Sequence, residues 1–336
     1  MASKSVKQFF SILLIQWMVF QARSRVISDV SMIERHEHWM AGYGRQYKDT
    51  AEKEKRYQIF KANVEYIDLV NRAGNKPYKL SANQFADLTN EEFKAAHIGH
   101  RSPSKDKSTA ILSSSEYDKI VTAIPPSLDW RRKGAVAPIR EVSCGAWTIP
   151  AVDAVEALIK IKTGKLYTLS NQEIVDCSTG LDCYQGSTED AFEFIKQHGL
   201  TTESNYPPKD NKGTCDTNKE KEPVAKISGY NYVPADNEKA LLQALTDQPV
   251  AVMVDASGAD FQFYAGGVFT GECGTDIDHG VTLVGYGTSN STLKYWRIKN
   301  SWGKGWGEDG YMRMERDIAA KEGMCGIAIE PIYPTL

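Results

Sequence analysis

All six cysteines of this 336-residue chain fall between Cys144 and Cys325, and none occurs in the first 143 positions. Whether six cysteines mean thiols, a metal site or cross-links depends on the redox compartment. The N-terminus answers that question. Lys4 and Lys7 precede an apolar stretch at residues 9–20 (FFSILLIQWMVF), broken only by Ser11 and Gln16, and small residues follow at Ala22 and Ser24. This is the layout of a secretory leader over residues 1–24, too short to remain in a bilayer. No run reaches the ~18 apolar residues of a spanning helix, so no membrane association is expected. Entry into an oxidising compartment makes the six cysteines read as three disulfides. No Cys-x-x-Cys or His-Glu-x-x-His spacing offers a metal site instead.

A cross-linked region of that length needs a core as well, and 41% hydrophobic with 25% charged residues is an ordinary globular composition. The net charge of −3 excludes the basic excess typical of a nucleic-acid binder. The charge is unevenly spread. Residues 1–123 carry 19 Lys+Arg against 14 Asp+Glu, while residues 124–336 carry 21 against 29. A basic, cysteine-free front and an acidic, cysteine-bearing back read as separate modules with complementary fields. Between them, residues 101–115 (RSPSKDKSTAILSSS) are polar and Ser-rich with Pro103, the character of an exposed linker open to nicking.

The front module is helical by pattern over residues 31–71. Glu52, Arg56, Ile59, Phe60, Asn63, Ile67 and Asn71 recur at steps of three and four and share one helix face. Polar residues on an otherwise apolar stripe must find partners if that face is buried. The pattern Glu-x3-Arg-x2-Ile-Phe-x2-Asn-x3-Ile-x3-Asn resembles, at all seven positions, the inhibitory propeptide of papain-like cysteine proteases. Residues 81–93 (SANQFADLTNEEF) are similar to that propeptide's second motif, with Asn83, Phe85 and Asp87 in place and Ser81 where glycine is usual.

From Ile124 onward the likeness covers the rest of the chain, with IPPSLDWRRKGAVAP resembling the family's mature N-terminus. It implies a helical propeptide with linker over 25–123 and a mature domain over 124–336. The implied fold is α+β and papain-like, with a helical lobe and a β-barrel-like lobe on either side of a cleft. Patterning agrees: residues 151–162 have helical periodicity, and residues 249–254, 280–287 and 294–299 are strand-like. The implied chemistry needs a thiolate, a histidine that holds it ionised, and a group that orients the histidine, with no cofactor or metal. His279, in Asp278-His279-Gly280-Val281, and Asn300, in Lys299-Asn300-Ser301-Trp302-Gly303, match the family's histidine and asparagine motifs, with Trp302 as the shielding ring.

The nucleophile motif departs from the family. The signature C-G-[SA]-C-[WY] carries the nucleophile in its second cysteine, whereas this chain reads Ser143-Cys144-Gly145-Ala146-Trp147. Ala146 falls on the nucleophile position, and two residues are missing between the anchors. Upstream, the family's oxyanion-hole glutamine maps to Glu141 counting from Cys144, or to Arg140 counting from Trp147. By resemblance the disulfides are Cys144–Cys183, Cys177–Cys215 and Cys273–Cys325, which leaves no thiol. A displaced nucleophile at Cys144 would strand Cys183.

On the substrate side, Cys183 is followed by Tyr184, Gln185 and Gly186 where the family has Asn-Gly-Gly, so Gln185 is expected to crowd the shelf for substrate backbone. Met253, Gly280 and Glu330 fall where the resemblance puts walls of the main specificity pocket. Asn290-Ser291-Thr292 is a glycosylation sequon. The main expectation is a catalytically impaired protease homologue of the secretory pathway, extracellular or vacuolar/lysosomal, with a binding, storage or defence role. The alternative is an active cysteine endopeptidase made as a zymogen. Expected partners are the chain's own propeptide in cis, peptide or protein ligands in the cleft and protein inhibitors, around a monomer.

Overall fold

The computed structural model describes residues 30–98, 124–290 and 292–336. The leader, the linker, the expected processing point before Ile124 and the sequon's Ser291 lie outside them. Packing groups the chain into two units: the residues up to Tyr66 with Ala86–Leu88, and Ile67–Phe85 with Thr89–Leu336. This division does not follow the expected processing boundary, because a cleavage point is a covalent matter and a compact unit is defined by packing.

The first unit holds helix α1 (30–43) and the start of α2 (Thr50–Ala73). Buried His36 is ringed by Trp39, Tyr47, Tyr57 and Phe60, with centroids 4.9–6.2 Å away. The polar stripe of α2 finds its partners here. Arg56 bonds Glu52 at 2.7 Å and donates to the Asp87 carbonyl at 2.9 Å. Asn63 Nδ2 donates to the carbonyls of Ala86 at 2.8 Å and Leu88 at 2.9 Å. The side chains thus act as backbone partners for a loop that has no ladder of its own.

In the second unit, Asn71 at the end of α2 both donates to and accepts from the backbone of Leu80 (2.8 and 3.1 Å), fixing strand β1 (Tyr78–Leu80). Helix α3 (Asn90–His97) follows, started by a Thr89/Glu92 capping box. After β2 (Leu128–Asp129) comes α4 (Ile149–Thr163), whose first eleven residues are all buried, then α5 (Asn171–Cys177) and α6 (Thr188–His198). Strand β3 (Gly229–Tyr232), helix α7 (Glu238–Asp247), β4 (Val250–Val254), β5 (Tyr264–Phe269), β6 (His279–Thr288), β7 (Lys294–Lys299), β8 (Tyr311–Glu315) and β9 (Ile332–Thr335) complete the elements used below.

The strands form one sheet in the order β1-β5-β8-β7-β6-β4-β9-β3, with β2 added on β6. Only β5–β8 is parallel among the neighbouring pairs. β6 is buried along all but its last residue, as a central strand covered on both faces must be. Helix α4 lies against β4, β6 and β9, so the helical lobe and the sheet lobe share an apolar seam. Among the described residues no helix is long and apolar enough to cross a membrane.

Candidate active site

The seam between α4 and the start of β6 opens into a cleft. Its wall on the helix side is set by chain geometry at Gly145, whose φ of +78° is open to glycine, and where an added Cβ would stand 2.3 Å from Val175 Cγ2. That left-handed turn ties Cys144 to Cys183 and starts the 3-10 turn Ala146–Thr148 that leads into α4. Gly145 N–H donates to Cys183 O at 2.9 Å, and Trp147 Nε1 donates to Asp182 O at 2.9 Å. Gly186 packs so closely on the Trp147 ring that a Cβ would lie 2.4 Å from it.

Across the cleft, His279 opens β6 and is 3% exposed. Its Nε2 lies 2.8 Å from Asn300 Oδ1. The same Oδ1 accepts from Ser301 N–H at 2.8 Å, so the amide is turned with its oxygen toward the ring. An acceptor at that distance selects the tautomer with the proton on Nε2, leaving Nδ1 as the basic nitrogen. Trp302 stacks on the imidazole at a centroid distance of 4.6 Å and 29° between planes, and is itself ringed edge-on by Phe85, Phe93, Phe261 and Trp306. Burial under this shell lowers the His279 pKa to about 4; the Asn300 hydrogen bond opposes the shift and the charge of His97 adds to it. Next to it, burial pushes Asp278 up to about 6, helped by the charges of Asp255 and Asp276 and opposed by the Ala256 N–H.

Ala146, Gly186, Met253, Gly280, His279 and Glu330 all line this one cleft. Asn300 and Trp302 lie behind the histidine. Two sequence expectations need correction. Gln185 is exposed and does not line the cleft; its N–H bonds Asp182 Oδ1 at 2.8 Å in a tight turn, and Tyr184 takes the place at the rim. Neither candidate for the oxyanion position faces the cleft. Arg140 is buried in an ionic cluster with Asp153 and Glu156, and the Glu141 carboxylate lies over Gly303, 2.8 Å from where a Cβ would stand. Glu141 also pairs by backbone with Trp302. The residues of this segment that line the cleft are Val142 and Ser143, a register that counting from either anchor misses.

Sequence reasoning also missed Ala96, His97 and Ile98 of the front segment, along with Glu189 and Tyr232, as cleft-lining groups. The Thr89-x-x-Glu92 and Ser187-x-x-Asp190 spacings mark the helix starts that bring His97 and Glu189 there. Gln84 Nε2 donates to Trp302 O at 2.6 Å and Asn83 Nδ2 to Gln262 O at 2.7 Å, so the front segment is bonded along this face. The sulfurs of Cys144–Cys183, Cys177–Cys215 and Cys273–Cys325 are bonded at 2.00, 2.02 and 2.11 Å, and no free cysteine is left. Asn290 is exposed in the turn after β6.

Comparison with known proteins agrees with this architecture. The family model for papain family cysteine proteases matches residues 124–335, and that for the cathepsin propeptide inhibitor domain (I29) matches residues 36–93. The senescence-specific cysteine protease SAG39 of Oryza sativa subsp. indica is 50% identical over 324 residues, covering 94% of this chain and 93% of its own. Fruit bromelain of Ananas comosus is 43% identical over 340 residues, covering 100% and 96%. The solved structure of a recombinant stem bromelain precursor has a TM-score of 0.83 at 44% identity, covering 91% of this chain and 99% of that one.

Proposed function

We propose that this chain, which belongs to the papain family of cysteine proteases and carries the family's propeptide inhibitor domain, is a protease homologue that binds peptide segments in its cleft without thiol catalysis. The observation that carries this reading is Ala146. It lies between Gly145 and Trp147 at the head of the helix, in the same cleft as a complete His279–Asn300 pair, while every cysteine of the chain is in a disulfide. An imidazole with no acidic nucleophile to deprotonate supplies only a hydrogen-bonding wall. On the adjacent wall Val142 offers no side-chain donor and the Ser143 hydroxyl donates to Asp210 at 2.8 Å, which further weakens acyl transfer.

In this reading the precursor consists of a leader (1–24), a helical propeptide with linker (25–123) and a mature domain (124–336). It travels the secretory route to an extracellular or vacuolar/lysosomal site, a reading that the leader-like N-terminal sequence and the three disulfides support. Its partners are its own propeptide, peptide or protein ligands, and protein inhibitors, and it acts as a monomer.

The second reading is a working endopeptidase made as a zymogen. The relatives favour it, being named as cysteine proteases, and so does a complete inhibitor domain. It requires Cys144 to act as a thiolate and Cys183 to be released. Thiol titration of the unfolded, unreduced protein separates the two. The proposal expects no titratable thiol, no labelling by a thiol-directed epoxide and no peptide hydrolysis. Two thiols, with epoxide labelling of Cys144, overturn it in favour of the endopeptidase.

A further inference from the structure

Helix α5 carries two buried carboxylates one turn apart, and the fold provides for them very differently. Asp176 accepts from Gly213 N–H at 2.6 Å, Gln172 Nε2 at 2.7 Å and Tyr206 Oη at 2.9 Å, with Lys209 Nζ at 3.4 Å. Glu173 is 0% exposed, and its Oε2 accepts from Thr201 N–H at 2.8 Å. Its Oε1 is buried and has no partner among the described residues. The charge that acts on it is another carboxylate, Glu220 of the short helix Thr217–Glu220, which lies 2.9 Å from His198 Nδ1 at the end of α6. The remaining charged groups nearby are turned to partners of their own, Glu203 to Arg140 and Asp176 to Lys209. Thr201 is meanwhile clamped to the start of α5 from both sides, because its carbonyl accepts from Ser170 N–H at 3.0 Å. Ser170 Oγ donates to Tyr206 O at 2.7 Å. Elsewhere α5 backs the cleft: Val175 Cγ2 lies 2.3 Å from where a Cβ on Gly145 would stand, and Asn171 Nδ2 donates to Cys144 O at 3.5 Å.

We propose that Glu173 is a proton switch in the helical lobe. Protonated, it holds the 201–206 segment on α5; ionised, it opens that segment and loosens the Gly145 turn that carries Ala146. The inference does not depend on what the cleft binds. A protonated carboxyl keeps the Thr201 hydrogen bond and leaves one neutral atom unpaired. An ionised one is a buried charge with a single donor and no cation, which gains strongly from reaching water. Burial accordingly pushes the Glu173 pKa up to about 7; the Thr201 N–H opposes the shift and the Glu220 charge adds to it. Because the folded value lies above the ordinary 4.5, the closed state is favoured most below pH 4.5 and loses that advantage as pH rises through about 7. Asp176, with three neutral donors and an ammonium group, is held below the ordinary carboxylate range and stays ionised throughout. The switch therefore belongs to one carboxylate of the two.

The test follows amide hydrogen exchange in the full chain at pH 5 and pH 8, each corrected for intrinsic rates. The opening equilibrium read at the Thr201 amide is expected to rise roughly 50–100-fold between the two in wild type. The Gly145 amide, which donates to Cys183 O, is expected to follow it. Glu173→Gln keeps the shape and cannot ionise, so its Thr201 protection is expected to be nearly the same at both pH values. Asp278 also titrates in this window, but it is present in both proteins, and the difference between them isolates Glu173. The assigned carboxyl-carbon resonance of Glu173 in the wild-type chain needs no variant to fold, and a titration midpoint near 4.5 overturns the proposal. Equal pH dependence of Thr201 exchange in wild type and Glu173→Gln overturns it as well. A response at Thr201 with none at Gly145 overturns the link to the cleft.

Discussion

The methyl group of Ala146 stands after a tight glycine turn and before a buried helix, in the same cleft as His279, which is held by Asn300. Restoring a thiol there tests how much machinery is left. Ala146→Cys alone is expected to give one titratable thiol but hydrolysis ~10²–10³ below that of the Ala146→Cys/Val142→Gln double variant, because only the latter adds a side-chain amide at position 142 of the cleft wall. Replacing Glu141 by glutamine is expected to add little, since its carboxylate lies over Gly303. Assays with a fluorogenic peptide compare the three. His279 makes a separate prediction about pH. Its pKa is about 4 folded and ~6.5 unfolded. Between those values the unfolded chain binds more protons, so this residue lowers stability as pH falls through the window, by about 3 kcal/mol in all. Asp278, with its raised pKa of about 6, works in the opposite direction. The difference isolates the histidine: urea unfolding of His279→Gln is expected to lose less stability than wild type between pH 6.5 and 4.

At the scale of elements, α4 and β7 are joined by charge inside the seam. Asp153 on α4 accepts from Lys299 at 2.8 Å and from Arg140 at 2.9 Å, and Lys299 immediately precedes Asn300. Lys299 is 1% exposed. Such a pair adds little net stability over an apolar equivalent, but removing one member strands a buried charge. Asp153→Asn is therefore expected to cost about 3–5 kcal/mol in chemical denaturation, and to loosen the His279–Asn300 hydrogen bond, read as faster exchange of the imidazole N–H. The sequence showed both elements clearly. Residues 151–162 and 294–299 read as helix and strand from periodicity alone, and they extend to Ile149–Thr163 and Lys294–Lys299. It did not show that Asp153 and Lys299 meet, because they are 146 positions apart and no local pattern links them.

For the molecule as a whole, the disulfides are the covalent frame. Cys273–Cys325 closes 52 positions of chain. Removing it with Cys273→Ser/Cys325→Ser is expected to cost about 2–5 kcal/mol, seen as a lower urea midpoint, mainly by freeing the unfolded chain. The sequence by itself determined the α+β class, the helical front module, the histidine and asparagine, and the alanine rather than cysteine directly before Trp147. These are matters of residue identity and short-range period, which need no knowledge of what lies across the fold. The polar stripe on α2 was legible too, though its meaning was not. Only the tertiary structure showed Asn63 and Arg56 serving the backbone of the 86–88 loop. Tertiary structure alone decided the cleft wall as well. It sent Arg140 into the ionic cluster, turned Glu141 onto Gly303, left Gln185 in solvent and brought Val142, Glu189 and Tyr232 inward. The physical reason is common to all of these: a loop segment takes its register from which side chains must be buried and paired, and that choice is made by distant partners.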